Sequence, residues 1–85
     1  MERYLVETPH SENNCIMLLD EVSAMGYLHH FEWGCEDGIH SGWAIIEAES
    51  EEEALMVVPL IARDSARAVR LTKFSPEMVR ELHSE

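Results

Sequence analysis

Arg3 to Thr8 is a short β-branched and aromatic run that stops at Pro9, and it predicts a first strand. Ser11 then stands where a helix N-cap belongs. Behind it Cys15, Leu18, Leu19, Val22 and Met25 recur at helical spacing, and Gly26 follows at the usual left-handed closing position. In that helix His10 and Cys15 occupy the two positions of a hydrophobic staple. Tyr27 to Cys35 reads as a second strand and Ile39 to Ala48 as a third, joined by a type I′ turn at Asp37-Gly38. Ser50 and Glu53 form a capping box for a helix whose buried stripe is Ala54, Leu55, Val58 and Ile61. Pro59 should end it near Val58 or force an irregular turn before Arg63. Ala66 to Phe74 predicts a fourth strand, and Ser75-Pro76 opens a last helix, Pro76 to His83, carrying Met78, Val79 and Leu82.

The order β-α-β-β-α-β with right-handed crossovers predicts an α+β, ferredoxin-like domain over residues 1–85. Its four antiparallel strands should run 4-1-3-2, with helices on one face and a short C-terminal helix. A two-residue turn pairs Cys35 with His40, Trp33 with Gly42 and Phe31 with Ala44. One face then carries His29, Phe31, Trp33, Gly42, Ala44 and Ile46, large opposite small; the other carries Leu28, His30, Glu32, Trp43, Ile45 and Glu47. Trp43 and Ile45 would be wet on a monomer, so a homodimer packed sheet to sheet is expected.

Three stretches carry a family resemblance: YLVETPHSE near the start, FEWGCEDGIHSGWAIIEAES in the middle and LTKFSPE after the last strand. On these the chain resembles the ferredoxin-like dimeric α/β-barrel group over nearly its whole length, and within it small stand-alone bacterial proteins of unknown function. The middle stretch is the specific one. The resemblance implies the fold and a dimer; it implies no single activity, because such folds host isomerases, monooxygenases and decarboxylases as well as binding proteins.

Charge narrows the partners. Seventeen acidic residues against six Lys and Arg give a formal charge of -11, which repels nucleic-acid backbones and anionic bilayers. The longest apolar run, Ala54 to Ala62, is broken by Pro59 and falls short of a membrane span, and no signal peptide is read before the first strand. The cytoplasm is the expected compartment. Two cysteines are too few for a disulfide scaffold; Cys15 reads as a small core residue, and Cys35, beside the turn, is the more interesting of the two.

The topology should gather His10, Cys15, Cys35, Asp37, His40, Arg63 and Asp64 at one end of the sheet. Imidazole and thiolate together suit a divalent transition metal, and His10, Cys35 and His40 would make a three-ligand site with an open fourth position. The spacing matches no compact metal motif, and packing alone is the favoured account: His10 as a staple residue, Cys35 as a packed thiol and His40 as a half-exposed strand residue. His29 and His30, adjacent on a strand, should point to opposite faces and so cannot share an ion. A second candidate lies on the other face. There Glu7 and Trp43 are candidate ligand-binding residues, as is Arg63 at the hairpin end, and Glu32 or His30 could act as a base in a cofactor-independent isomerase or monooxygenase. Pairing of those acids with Arg3 or Arg70 is the simpler explanation. A pure interaction subunit is the third alternative. No dinucleotide, P-loop or nucleophile-elbow context is present.

Overall fold

A computed structural model describes residues 1–84 of the chain. Four strands are present: β1 (Glu2–Glu7), β2 (Glu32–Trp33), β3 (Gly42–Ala48) and β4 (Arg67–Arg70). Four α-helices accompany them: α1 (Cys15–Ala24), α2 (Glu51–Ala54), α3 (Leu60–Arg63) and α4 (Pro76–His83). The fold is α+β. Its open antiparallel sheet has the order β2-β3-β1-β4, which counted from the opposite edge is 4-1-3-2.

The period-two pattern of the strands sorts their side chains. Tyr4 and Val6 of β1 with Ala44 and Ala48 of β3 are buried in one cluster with Leu18 and Val22 of α1, Ala54, Val57, Val58 and Ala62. On the opposite face Leu5 lies across from Ile45 and Val69, and Ile45 remains 55% exposed. The second helical stripe differs from expectation, because Val57 and Ala62 are buried and Ile61 is exposed. Pro59 removes an amide and holds Val58 extended, so α2 tightens into a 3-10 turn at Leu55–Val57 and the chain re-enters as α3 on a new face.

Several local signals act as read. Ser50 Oγ accepts the Glu53 amide at 3.1 Å and Ser75 Oγ the Met78 amide at 3.2 Å. Gly26 takes φ +86, with the Tyr27 amide donating to Val22 O and the Gly26 amide to Ser23 O, a Schellman closure of α1. Ser11 precedes a 3-10 turn, Glu12–Asn14, and its side chain makes no cap bond.

Three strand boundaries need correction. Tyr27 to Cys35 contributes only Glu32–Trp33 to the sheet, because Leu28–His30 closes a 3-10 turn through the His30 and Phe31 amides. The third strand begins at Gly42, not Ile39. The fourth spans Arg67–Arg70, shorter at both ends than Ala66 to Phe74. No described helix is long and apolar enough to cross a membrane. The final helix α4 buries none of its residues.

Candidate metal centre

The register of β1 against β3 continues past both strands. The Thr8 amide donates to Gly42 O at 2.9 Å and the His10 amide to His40 O at 3.0 Å, two steps further along the same ladder as Val6 and Ala44. His10 and His40 are therefore cross-strand neighbours. Their parity is that of Tyr4, Val6 and Ala44, so they extend the buried face to its edge. Thr8 closes the layer beneath them: it is fully buried, and its hydroxyl accepts the Gly42 amide at 3.1 Å.

Cys35 comes from the other side of β3. Trp33 pairs with Gly42, and the Gly34 amide donates to Ser41 O, so the register of the hairpin points Cys35 at His40. The turn is not type I′, however. That turn needs a positive φ at Asp37, and among the described residues only glycines have one. Cys35–Asp37 instead forms one 3-10 turn, with Gly38 at φ +80. The Ile39 amide reaches back to Gly34 O at 3.0 Å and the Gly38 amide to Cys35 O at 3.1 Å, the bond pair of a Schellman motif. The loop spans Gly34 to Ser41, yet it returns the chain in register. Gly42 must be glycine for a packing reason: a Cβ there would stand 2.7 Å from the Trp33 ring and 3.0 Å from Thr8 Oγ1.

Cys15 arrives from a third direction, at the start of α1. One donor atom from each of His10, Cys15, Cys35 and His40 lies within 4.8 Å of all the others, and all four side chains are half-buried. The order of bonds among them is directional. Cys15 Sγ donates to Cys35 Sγ at 3.0 Å, and Cys35 Sγ lies 3.4 Å from His10 Nε2. His10 Nδ1 is 2.9 Å from Thr8 O. A carbonyl only accepts, so Nδ1 carries the proton and Nε2 presents its lone pair to the sulfur. His40 Nδ1 is buried with no hydrogen-bond partner. Burial first, and then the adjacent Cys15 thiol, push the Cys35 thiol up to about 11.

These residues suit a metal. A tetrahedral zinc ion with bonds of about 2.0–2.3 Å sets its donors roughly 3.3–3.8 Å apart, inside the 4.8 Å that spans the four donor atoms here. The hydrogen bond from His10 to a backbone carbonyl is the kind that orients an imidazole ligand. Cys15 is the residue that sequence reasoning assigned to packing. Its signal was the staple spacing, which already sets the fourth helical position against His10.

The other named residues fall elsewhere. Asp37 and Asp64 are exposed, and the Arg63 guanidinium donates twice to Val58 O, at 3.0 and 2.7 Å, clasping the break between α2 and α3. Glu7 and Trp43 do meet on the open sheet face. The indole N–H donates to Glu7 Oε2 at 3.0 Å, and Arg67, not Arg3 or Arg70, donates to Oε1 at 2.8 Å. The Trp43 bond first, then Arg67, hold the Glu7 carboxyl below the ordinary carboxylate value. Beside them a shallow groove of about 480 Å³ is lined by Leu5, His29, His30, Glu32, Trp43, Ala44 and Ile45. His29 and His30 do not point to opposite faces; they sit on the 3-10 turn, exposed, with ring centroids 4.2 Å apart. Comparison with family models, curated proteins and solved structures returns no match for this chain.

Proposed function

We propose that this protein is a small metal-binding module that holds one borderline-soft divalent ion, of the zinc class, through His10, Cys15, Cys35 and His40. The observation that carries the proposal is that two thiols and two imidazoles, from three separate segments, bring their donor atoms within 4.8 Å of one another. Removing the two thiol protons from the bonded chain Cys15–Cys35–His10 frees two thiolates beside an imidazole nitrogen. The buried, unpartnered Nδ1 of His40 supports the same ion. Four protein donors complete a tetrahedron, and a complete tetrahedron favours binding over Lewis-acid catalysis, which needs an open position.

The surrounding assembly follows from the same molecule. The strand order and crossover pattern support a ferredoxin-like domain. The apolar positions Leu5, Trp43, Ile45 and Val69 on the open face support a homodimer through that face, and the net charge of -11 supports protein or small-molecule partners over nucleic acid or membrane, with residence in the cytoplasm. A second reading, a small-ligand site or a cofactor-independent isomerase or monooxygenase, rests on the groove where Glu32 stands across from Trp43 beside His30.

Zinc titration of the reduced protein tests the first reading. One ion per chain should bind, the melting temperature should rise, and Cys35→Ser should remove the rise. Binding unaffected by Cys35→Ser, or no binding, overturns it. Light scattering at micromolar concentration tests the dimer: Trp43→Asp should give monomer or aggregate, and a monomer peak for the unaltered protein overturns that part.

A further inference from the structure

We infer that Cys15 and Cys35 form a reversible disulfide pair, oxidised by peroxide, and that closing the bond dismantles the metal site of which both sulfurs are part. The geometry is independent of any ion. The two sulfurs stand 3.0 Å apart, closer than unbonded sulfurs usually sit and about 1 Å from the length of a disulfide bond. Both residues are half-buried, not sealed. They are also separated by 20 positions in sequence, each at the start of its element: Cys15 is the first residue of α1, after a 3-10 turn, and Cys35 the first of the loop turn that follows Gly34.

The chemistry balances in two steps. One sulfur attacks the O–O bond of the peroxide and takes one oxygen as a sulfenic acid, while the other oxygen leaves as water with the thiol proton. The second sulfur then attacks the sulfenic sulfur, the S–S bond forms, and the S–O bond breaks to release a second water. Two electrons pass from the two thiols to the peroxide. When a divalent ion is bound, two thiolates, the peroxide and two protons give the disulfide, two waters and the free ion. A disulfide offers no thiolate, and His10 with His40 alone make a two-donor site. This part rests on the proposed metal binding; the disulfide itself does not.

Reduced, metal-free protein and zinc-loaded protein are each treated with hydrogen peroxide and followed by intact mass, thiol count and released zinc. The chain should lose the mass of two hydrogen atoms, lose both free thiols, remain a single chain on a non-reducing gel, and recover fully with dithiothreitol. The loaded protein should release one zinc for each disulfide formed. Cys15→Ser and Cys35→Ser should each stop at an oxygen adduct on the remaining sulfur. Oxygen adducts or chain-to-chain disulfides in the unaltered, metal-free protein overturn the inference, and this readout needs no variant to fold. Zinc retained after disulfide closure overturns the coupling. A metal-free chain that closes the disulfide but never binds zinc overturns the metal proposal alone. Zinc binding without disulfide closure leaves the metal proposal standing and ends this one.

Discussion

Two regions of this molecule bring polar side chains together, and they do so in opposite ways. On the open sheet face the groups satisfy one another: Arg67 donates to one oxygen of Glu7 and the Trp43 indole to the other. The donors and acceptors balance, and the result is a closed surface relay. At the hairpin edge the balance fails. Two thiols and two imidazoles converge, the hydrogen bonds among them involve weak sulfur donors, and one buried imidazole nitrogen has no partner. The contrast teaches that proximity of titratable groups is not enough to mark a site. What distinguishes the edge is donor capacity left over after the local bonds are counted, in a chemistry matched to a soft cation.

The sharpest test sets the two regions against each other with zinc. At a free zinc concentration about 100-fold above Kd, the unaltered chain should gain about 2.7 kcal/mol, a rise in melting temperature of roughly 10–20 °C for a domain of this size. Cys15→Ala and His40→Ala should each abolish that gain, while Trp43→Ala should leave it intact. If Trp43→Ala removes the gain and Cys15→Ala does not, the comparison is reversed.

Gly42 lies between the regions, under the Trp33 ring and against Thr8. Gly42→Ala drives a methyl into both, at an expected cost of about 1–3 kcal/mol by denaturant unfolding, and it should weaken zinc binding by separating His10 from His40. A stable Gly42→Ala with normal zinc affinity would show that the cluster tolerates a displaced edge. Ser50→Ala is the control remote from both regions: it should lower stability by about 0.5–2 kcal/mol through the lost cap and leave zinc affinity unchanged.

The smallest effect belongs to the relay on the open face. The folded Glu7 carboxyl titrates below its ordinary 4.5, so its stabilising contribution is complete above that value and disappears as pH falls through the lower folded one. Arg67 is 71% exposed, which keeps the contribution modest. Melting curves of Glu7→Gln and the unaltered protein should therefore differ most near neutrality and converge in acid. Divergence on acidification would show that the relay does not govern this carboxyl.

Capping and parity were legible from the amino-acid order alone. Ser50 and Ser75 cap their helices and Gly26 closes α1, because each signal depends on residues within one turn. Tyr4, Val6 and Ala44 share a buried face because strand side chains alternate, and the same parity carried to His10 and His40. Trp33 opposite Gly42 was expected from a two-residue turn, and the register holds although that turn does not form. Other features were decided only by the tertiary fold. An Asp-Gly pair serves a type I′ turn or the glycine end of a Schellman closure equally well, and only the path between Gly34 and Ser41 selects the second. The partner of Glu7 was set by the register of β4, which places Arg67 rather than Arg70 across from it. Cys15 became the fourth donor for the same reason: its helix is fixed by Leu18 and Val22 against the sheet, and that packing carries its first residue to the loop holding Cys35. Local propensity assigns each residue its conformation, but donors that meet across 20 or 25 positions are placed by the core that joins their elements.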